Sequence, residues 1–268
     1  MDLLLPREQR RAELQASKEF DCWCLRCASP DAFPHERYLS TPYCPLCRRN
    51  VPRVSGLPPT TSDASVASGT LSLTYTCWTE DGGCGATFAP AEVDASMVPV
   101  RKLLDAVAAA QAPEEKAEAL QRLLQEAIGP GRLLPPEHEV AIRARLNLAM
   151  SLERRQVPTK LVMCEEQLAE GLRAMGLFLS PLWPEQAEWW ARLGHVRLAA
   201  AETASTPQVA AEHARGAAAA YETACQAMTA CAGTEHPLAV WTRLRAEAAL
   251  QAAAVAEART SAGEKGMS

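Results

Sequence analysis

Nowhere in this chain does an apolar run approach the roughly 20 residues needed to cross a bilayer. Leu3-Leu4-Leu5 is cut short by Pro6 and Arg7, too little for a secretory hydrophobic segment. A surplus of positive charge is also missing: 27 Lys and Arg against 32 Asp and Glu leave a net charge of −5. The broad basic field on which nucleic-acid binding normally rests is therefore absent. Aromatic residues make up only 5% of the chain, and no run of them supplies a stacking platform for bases. Arg48 and Arg49, beside a cysteine motif, are the feature that points the other way. These absences argue against a membrane protein and against nucleic acid as a partner. The expectation is a soluble protein of the cytoplasm and/or nucleus.

What is present is enough apolar material for a core, 48% of 268 residues, and an uneven set of cysteines. Seven of the ten lie between Cys22 and Cys84. In a reducing compartment, thiols at C-x-C or C-x2-C spacing read as metal ligands, because one tight turn can aim two thiolates at a tetrahedral ion; disulfides are the weaker alternative. The cluster divides into a triplet, Cys22, Cys24 and Cys27, and a quartet, Cys44 and Cys47 with Cys77 and Cys84. The quartet satisfies one tetrahedral zinc as a zinc ribbon, with Cys44-Pro-Leu-Cys47 as one knuckle and Asp81-Gly82-Gly83 leading to Cys84 in the other. Between the pairs, Val54 to Thr70 is rich in Ser, Thr, Pro and Gly and reads as a flexible excursion clamped at both ends. The triplet lacks one ligand, to be supplied by water or by a group from elsewhere. His35 is the nearby candidate, with an exposed polar role as its alternative. An all-thiolate site is closed to substrate, so the zinc expected here is structural.

Beyond Phe88 the composition turns to Ala, Leu and Glu, with prolines at what read as helix boundaries. Leu120, Leu123, Leu124, Ala127 and Ile128 recur at helical spacing between Pro113 and Gly129-Pro130. Leu161, Cys164, Leu168, Leu172 and Met175 form a second stripe; Ala210, Ala214, Ala217, Tyr221, Cys225 and Met228 form a third. Cys164 and Cys225 are thus expected in the core, while Cys231 near a helix end stays ambiguous. The run Pro136 to Leu146 is echoed at Trp183 to Leu193 and at Thr234 to Leu244. The steps are 47 residues from Leu146 to Leu193 and 51 from Leu193 to Leu244. That exceeds the roughly 34 of a standard tetratricopeptide unit and implies longer helices. The expected architecture is mainly α, an antiparallel helical-repeat, tetratricopeptide-like domain whose concave side is open to a peptide. Trp189, Trp190 and Trp241 are expected at the repeat contacts.

Asp2-Leu-Leu-Leu-Pro6, the Arg-rich stretch Arg7 to Lys18, and Phe20-Asp-Cys22-Trp-Cys24-Leu-Arg-Cys27 together resemble the SMYD family of SET and MYND protein lysine methyltransferases. The resemblance is sharp only over the first 30 residues. It implies that residues 1–18 are the end of a SET domain with its linking helix, that 19–90 hold a post-SET cysteine triplet and a zinc ribbon, and that 91–268 are the helical tetratricopeptide-like domain. It also implies that the triplet's fourth ligand is a cysteine within the SET core. Phe20 would match an aromatic that packs against the methyl donor, S-adenosylmethionine, while Lys18 stands where relatives often carry an aromatic residue lining the lysine channel. An anchoring role for Phe20 is the alternative. The family's MYND finger, cofactor-binding Asn-His motif and catalytic tyrosine have no counterpart here, so no catalytic residue is assigned. What is expected is zinc at two sites, one of them incomplete, and protein partners, whether a histone or non-histone lysine substrate or a peptide in the helical groove. The alternative is a zinc-ribbon and helical-repeat adaptor without chemistry of its own.

Overall fold

The structure, a computed structural model, describes residues 4–5, 7–28, 33, 35–55, 74–153, 158–180 and 182–265. It is mainly helical with one small sheet, and it divides into two compact units, residues 1–144 and 145–268.

The first unit combines helices of four to fifteen residues with very short strands. Helix α1 (Arg7–Lys18) is followed by two brief helices, α2 (Leu25–Ala28) and α3 (Glu36–Ser40). Strands β1 (Arg53–Ser55), β2 (Thr74–Thr76) and β3 (Thr87–Phe88) form an antiparallel sheet in that order, with Val54 opposite Tyr75 and Tyr75 opposite Phe88. Threonine and aromatic side chains at β2 and β3 suit a pleated surface, but strands of two or three residues bury little. Most of the Val54–Thr70 excursion lies outside the described residues. After the sheet come α4 (Pro90–Ser96), α5 (Val98–Ala109) and α6 (Pro113–Ala127). The stripe expected on α6 faces inward: Leu120, Leu123, Ala127 and Ile128 are buried. The α6 helix ends in a turn whose Gly129 and Gly131 take positive φ, and the Leu133 and Leu134 N–H groups donate back to the Ala127 carbonyl at 3.0 and 2.8 Å. The neighbouring Leu133 carbonyl accepts from the Tyr43 N–H at 2.9 Å, which ties this turn to the approach to Cys44.

Helix α7 (Glu139–Glu153) contains the division between the units. Just before it, His138 is 3% exposed, and its Nδ1 accepts the Val140 N–H at 3.2 Å as a side-chain cap. Burial drives its pKa down to about 4, so the ring is neutral.

The second unit is built of long helices: α8 (Pro158–Met175), α9 (Pro184–Glu202), α10 (Pro207–Ala232) and α11 (Pro237–Lys265). Each begins with proline, whose missing N–H falls where no intrahelical acceptor exists. Helix α8 packs on α9, α9 on α10, and α10 on α11. On α8, Leu161, Cys164, Leu168, Leu172 and Met175 are all buried; on α10, Ala214, Ala217, Tyr221 and Met228 are buried while Ala210 and Cys225 are partly so. The interfaces consist largely of alanine, with Ala187, Ala224, Ala227 and Ala239 packed under Trp190, and Ala217, Ala218 and Ala249 around Tyr221. Backbones approach closely as a result: a Cβ on Gly194 would lie 2.9 Å from the Tyr221 ring. Tyr221 meets Trp241 edge-to-face at 5.6 Å. Cys164 donates to the Ala149 carbonyl, Cys225 to the Ala239 carbonyl, and exposed Cys231 to the Leu182 carbonyl at 2.9 Å. No described helix is long and apolar enough to cross a membrane.

Candidate metal centres

Two turns carry the quartet. In the first, Cys44-Pro-Leu-Cys47 is closed by the Arg48 N–H donating to the Cys44 carbonyl at 3.0 Å, with Arg48 at φ 54°, a left-handed conformation more usual for glycine. In the second, β2 runs into Cys77, a single 3-10 turn (Thr79–Asp81) follows, and Gly82 and Gly85, both at φ 79°, fold the chain back toward β3. Gly83 is required for another reason. A Cβ there would stand 2.5 Å from Cys77 Sγ and 2.6 Å from the Trp78 carbonyl oxygen. The Cys84 N–H instead reaches Cys77 Sγ at 3.4 Å.

These turns place the four Sγ atoms within 4.8 Å of one another. Cys44 and Cys84 are 3.7 Å apart, as are Cys47 and Cys77. Four sulfurs bonded at about 2.3 Å to a tetrahedral ion would be separated by about 3.8 Å; a disulfide would need about 2.05 Å. The spacing is compatible with a shared ion such as zinc. Burial pushes Cys77 up to about 12, and burial also raises Cys44. At Cys47 burial is outweighed by hydrogen bonds from the Arg49 backbone and Cys77, leaving it at about 7.

Asp81, at the end of the 3-10 turn, fixes this centre to the rest of the unit. Its carboxylate accepts from Arg53 Nε and NH2 at 2.9 and 2.8 Å, and from Arg37 NH1 of α3 at 2.8 Å. The hydrogen bonds from Arg53 and then Arg37 hold its pKa below the usual carboxylate range. Arg53 also lies over the Trp78 ring, 4.9 Å from its centroid.

The triplet sits where α1 meets α2. Cys22, Cys24 and Cys27 bring their Sγ atoms within 4.8 Å of one another, and the Cys27 N–H donates to the Cys24 carbonyl at 2.8 Å. Cys27 is 3% exposed, and burial raises its pKa to about 11; Cys24 is exposed, and hydrogen bonds led by Cys22 outweigh desolvation to lower it. Among the described residues no other Cys, His, Asp or Glu joins this group. His35 is exposed at the start of α3, 6.2 Å from the Tyr38 ring, and is not brought to the sulfurs. Phe20 is 46% exposed and Trp23 66%. Lys18 is exposed at the end of α1.

Behind the triplet lies an ionic network that no local motif announces. Arg10, 2% exposed, donates to Glu36 Oε1 and to the Leu5 carbonyl, both at 2.6 Å, and its NH2 is 4.0 Å from Cys27 Sγ. Arg26 donates to Glu36 Oε2 at 2.6 Å. These partners are 26 and 10 residues apart in sequence, and Arg37 and Asp81 are 44 apart. Their only trace in the sequence is the presence of arginines and acids around the cysteines.

Comparison with protein-family models and with curated proteins finds no match for this chain.

Proposed function

We propose that this chain is a zinc-binding, protein-interacting region of a SMYD-like SET-domain protein lysine methyltransferase. Zinc at Cys44, Cys47, Cys77 and Cys84 clamps a ribbon, and the triplet Cys22, Cys24 and Cys27 is a post-SET site completed by a fourth ligand from a SET core. Helices α8 to α11 act as a tetratricopeptide-like array that receives protein. Methyl transfer from S-adenosylmethionine belongs to a longer protein carrying that core, where Phe20 would pack against the donor; no residue here is assigned a catalytic role. The observation that carries the reading is the pair of 3.7 Å sulfur separations in the quartet, with the open triplet 4.0 Å from a buried arginine as its companion. Exposed Phe20 and Trp23 beside that triplet suit a surface that a further domain covers.

A second reading, an adaptor without chemistry, has its own support. Trp241, Leu244 and Val255 are 42, 58 and 53% exposed, and they fall within about 60° of one another around α11. That is an apolar stripe fit for a protein partner.

Native mass spectrometry with metal analysis tests the zinc assignment, and calorimetry with S-adenosylmethionine tests the division of labour. The protein should retain zinc, lose it in Cys44→Ser/Cys47→Ser, and show no affinity for the donor by itself. A metal-free native protein, or methyl transfer by this chain alone, overturns the proposal.

A further inference from the structure

Two adjacent residues of α3 face different metal centres. Glu36, 8% exposed, accepts from Arg10 and Arg26 at 2.6 Å each, and Arg10 is the guanidinium beside Cys27. Arg37 donates to Asp81 at 2.8 Å, and Asp81 ends the turn between Cys77 and Cys84. Both contacts are shielded. The Arg10 and Glu36 side chains are 2 and 10% exposed, and those of Arg37 and Asp81 are both 19% exposed. Charge-assisted bonds in such surroundings are stronger and more exacting in geometry than surface pairs. The helix between them is held by Leu39, which is fully buried, and by the Thr41 N–H to the Arg37 carbonyl at 3.0 Å.

We infer that α3 couples the two centres, so that metal at the triplet raises the quartet's affinity for metal and the reverse. This rests on the reading that both cysteine groups bind metal. An ion on the triplet fixes Cys27 and so the Arg10 and Arg26 side chains, which hold Glu36; a fixed α3 then presents Arg37 to Asp81 and pre-sets the Cys77–Cys84 turn. Ordering of α3, needed by both sites, is met by whichever ion binds first. Linkage requires the factor to be the same in both directions.

Cobalt(II) titrations of the full chain, followed by thiolate-to-cobalt absorption with chelator competition, measure this. With the triplet disabled by Cys22→Ser/Cys24→Ser, quartet affinity should fall about tenfold, within the ordinary range of such couplings. With the quartet disabled by Cys44→Ser/Cys47→Ser, triplet affinity should fall by the same factor. In Arg37→Met the dependence of one site on the other should vanish although both still bind, and Arg37→Lys should restore part of it. Helical circular dichroism on each variant separates coupling from loss of fold. Equal affinity with and without the other site overturns the coupling and leaves the metal assignment standing. Failure of the intact protein to bind cobalt at either site overturns both.

Discussion

The two units reach order by different means. In the cysteine-rich part of the first, brief helices of four and five residues and strands of two or three surround two cysteine groups and a set of shielded ion pairs. In the second, helices of 18 to 29 residues bury alanine against alanine with few charges inside. Short elements expose too much backbone and bury too little apolar area to hold themselves together, and cross-links of another kind must take over. Long helices with small side chains gain their stability from close approach. One chain therefore sets a region ordered by helix packing beside one whose cysteine groups could hold metal.

Under the proposed zinc assignment, the sharpest way to break this contrast is to add a chelator. Binding to a structural site of this class is worth on the order of 10 kcal/mol, so chelator should unfold the cysteine-rich region while α8 to α11 stay helical. Limited proteolysis with mass mapping reads this directly, with cuts expected among residues 20–90 and protection across 184–258. Equal loss in both regions would erase the contrast. Next in size is Leu168→Ala on α8, where Leu168 is 1% exposed. It should cost about 2–5 kcal/mol in thermal or denaturant unfolding and leave metal content unchanged.

A comparable effect is expected of acid at His138. Its folded pKa near 4 lies below the unfolded value of about 6.5, so the unfolded chain takes up the proton first. The stabilisation is complete above pH about 6.5 and is lost as pH falls through 4, up to about 3 kcal/mol. His138→Asn keeps a capping acceptor and does not titrate. The difference between the two pH–stability curves isolates this residue from acid loss of metal, which affects both proteins alike. The smallest effect should come from Arg215→Ala. It breaks a pair with Glu257 whose side chains are 57 and 52% exposed, and the change should stay within about 1 kcal/mol, shrinking further with salt.

How much of this was legible beforehand follows from the range of each interaction. Cys44-x2-Cys47 and the Leu161 to Met175 stripe are local patterns, and the structure gathers the former and buries the latter. The mainly helical class follows from the same periodicity. Arg10 with Glu36 and Arg37 with Asp81 join residues 26 and 44 positions apart, and no period or spacing encodes such a pair. The Asp81-Gly82-Gly83 turn was legible as a turn; that Asp81 would accept from two arginines was not. His138 was visible only as one residue of the recurring run Pro136 to Leu146, and nothing in that run marks it as buried. A fourth donor for the triplet could not be read from sequence, and His35, the nearest candidate by sequence, is exposed and apart from it.

The alanine interface leaves mutation an unequal set of moves. At Ala217, Ala224 and Ala249, none of them exposed, glycine is the only smaller replacement and every other side chain must push two helices apart. At Glu247 and Ala258, open to water on α11, nearly any residue fits. Descendants of this sequence are thus expected to drift at such exposed positions of α11 while its inner side stands still, and the helices themselves should persist long after much of their surface has changed.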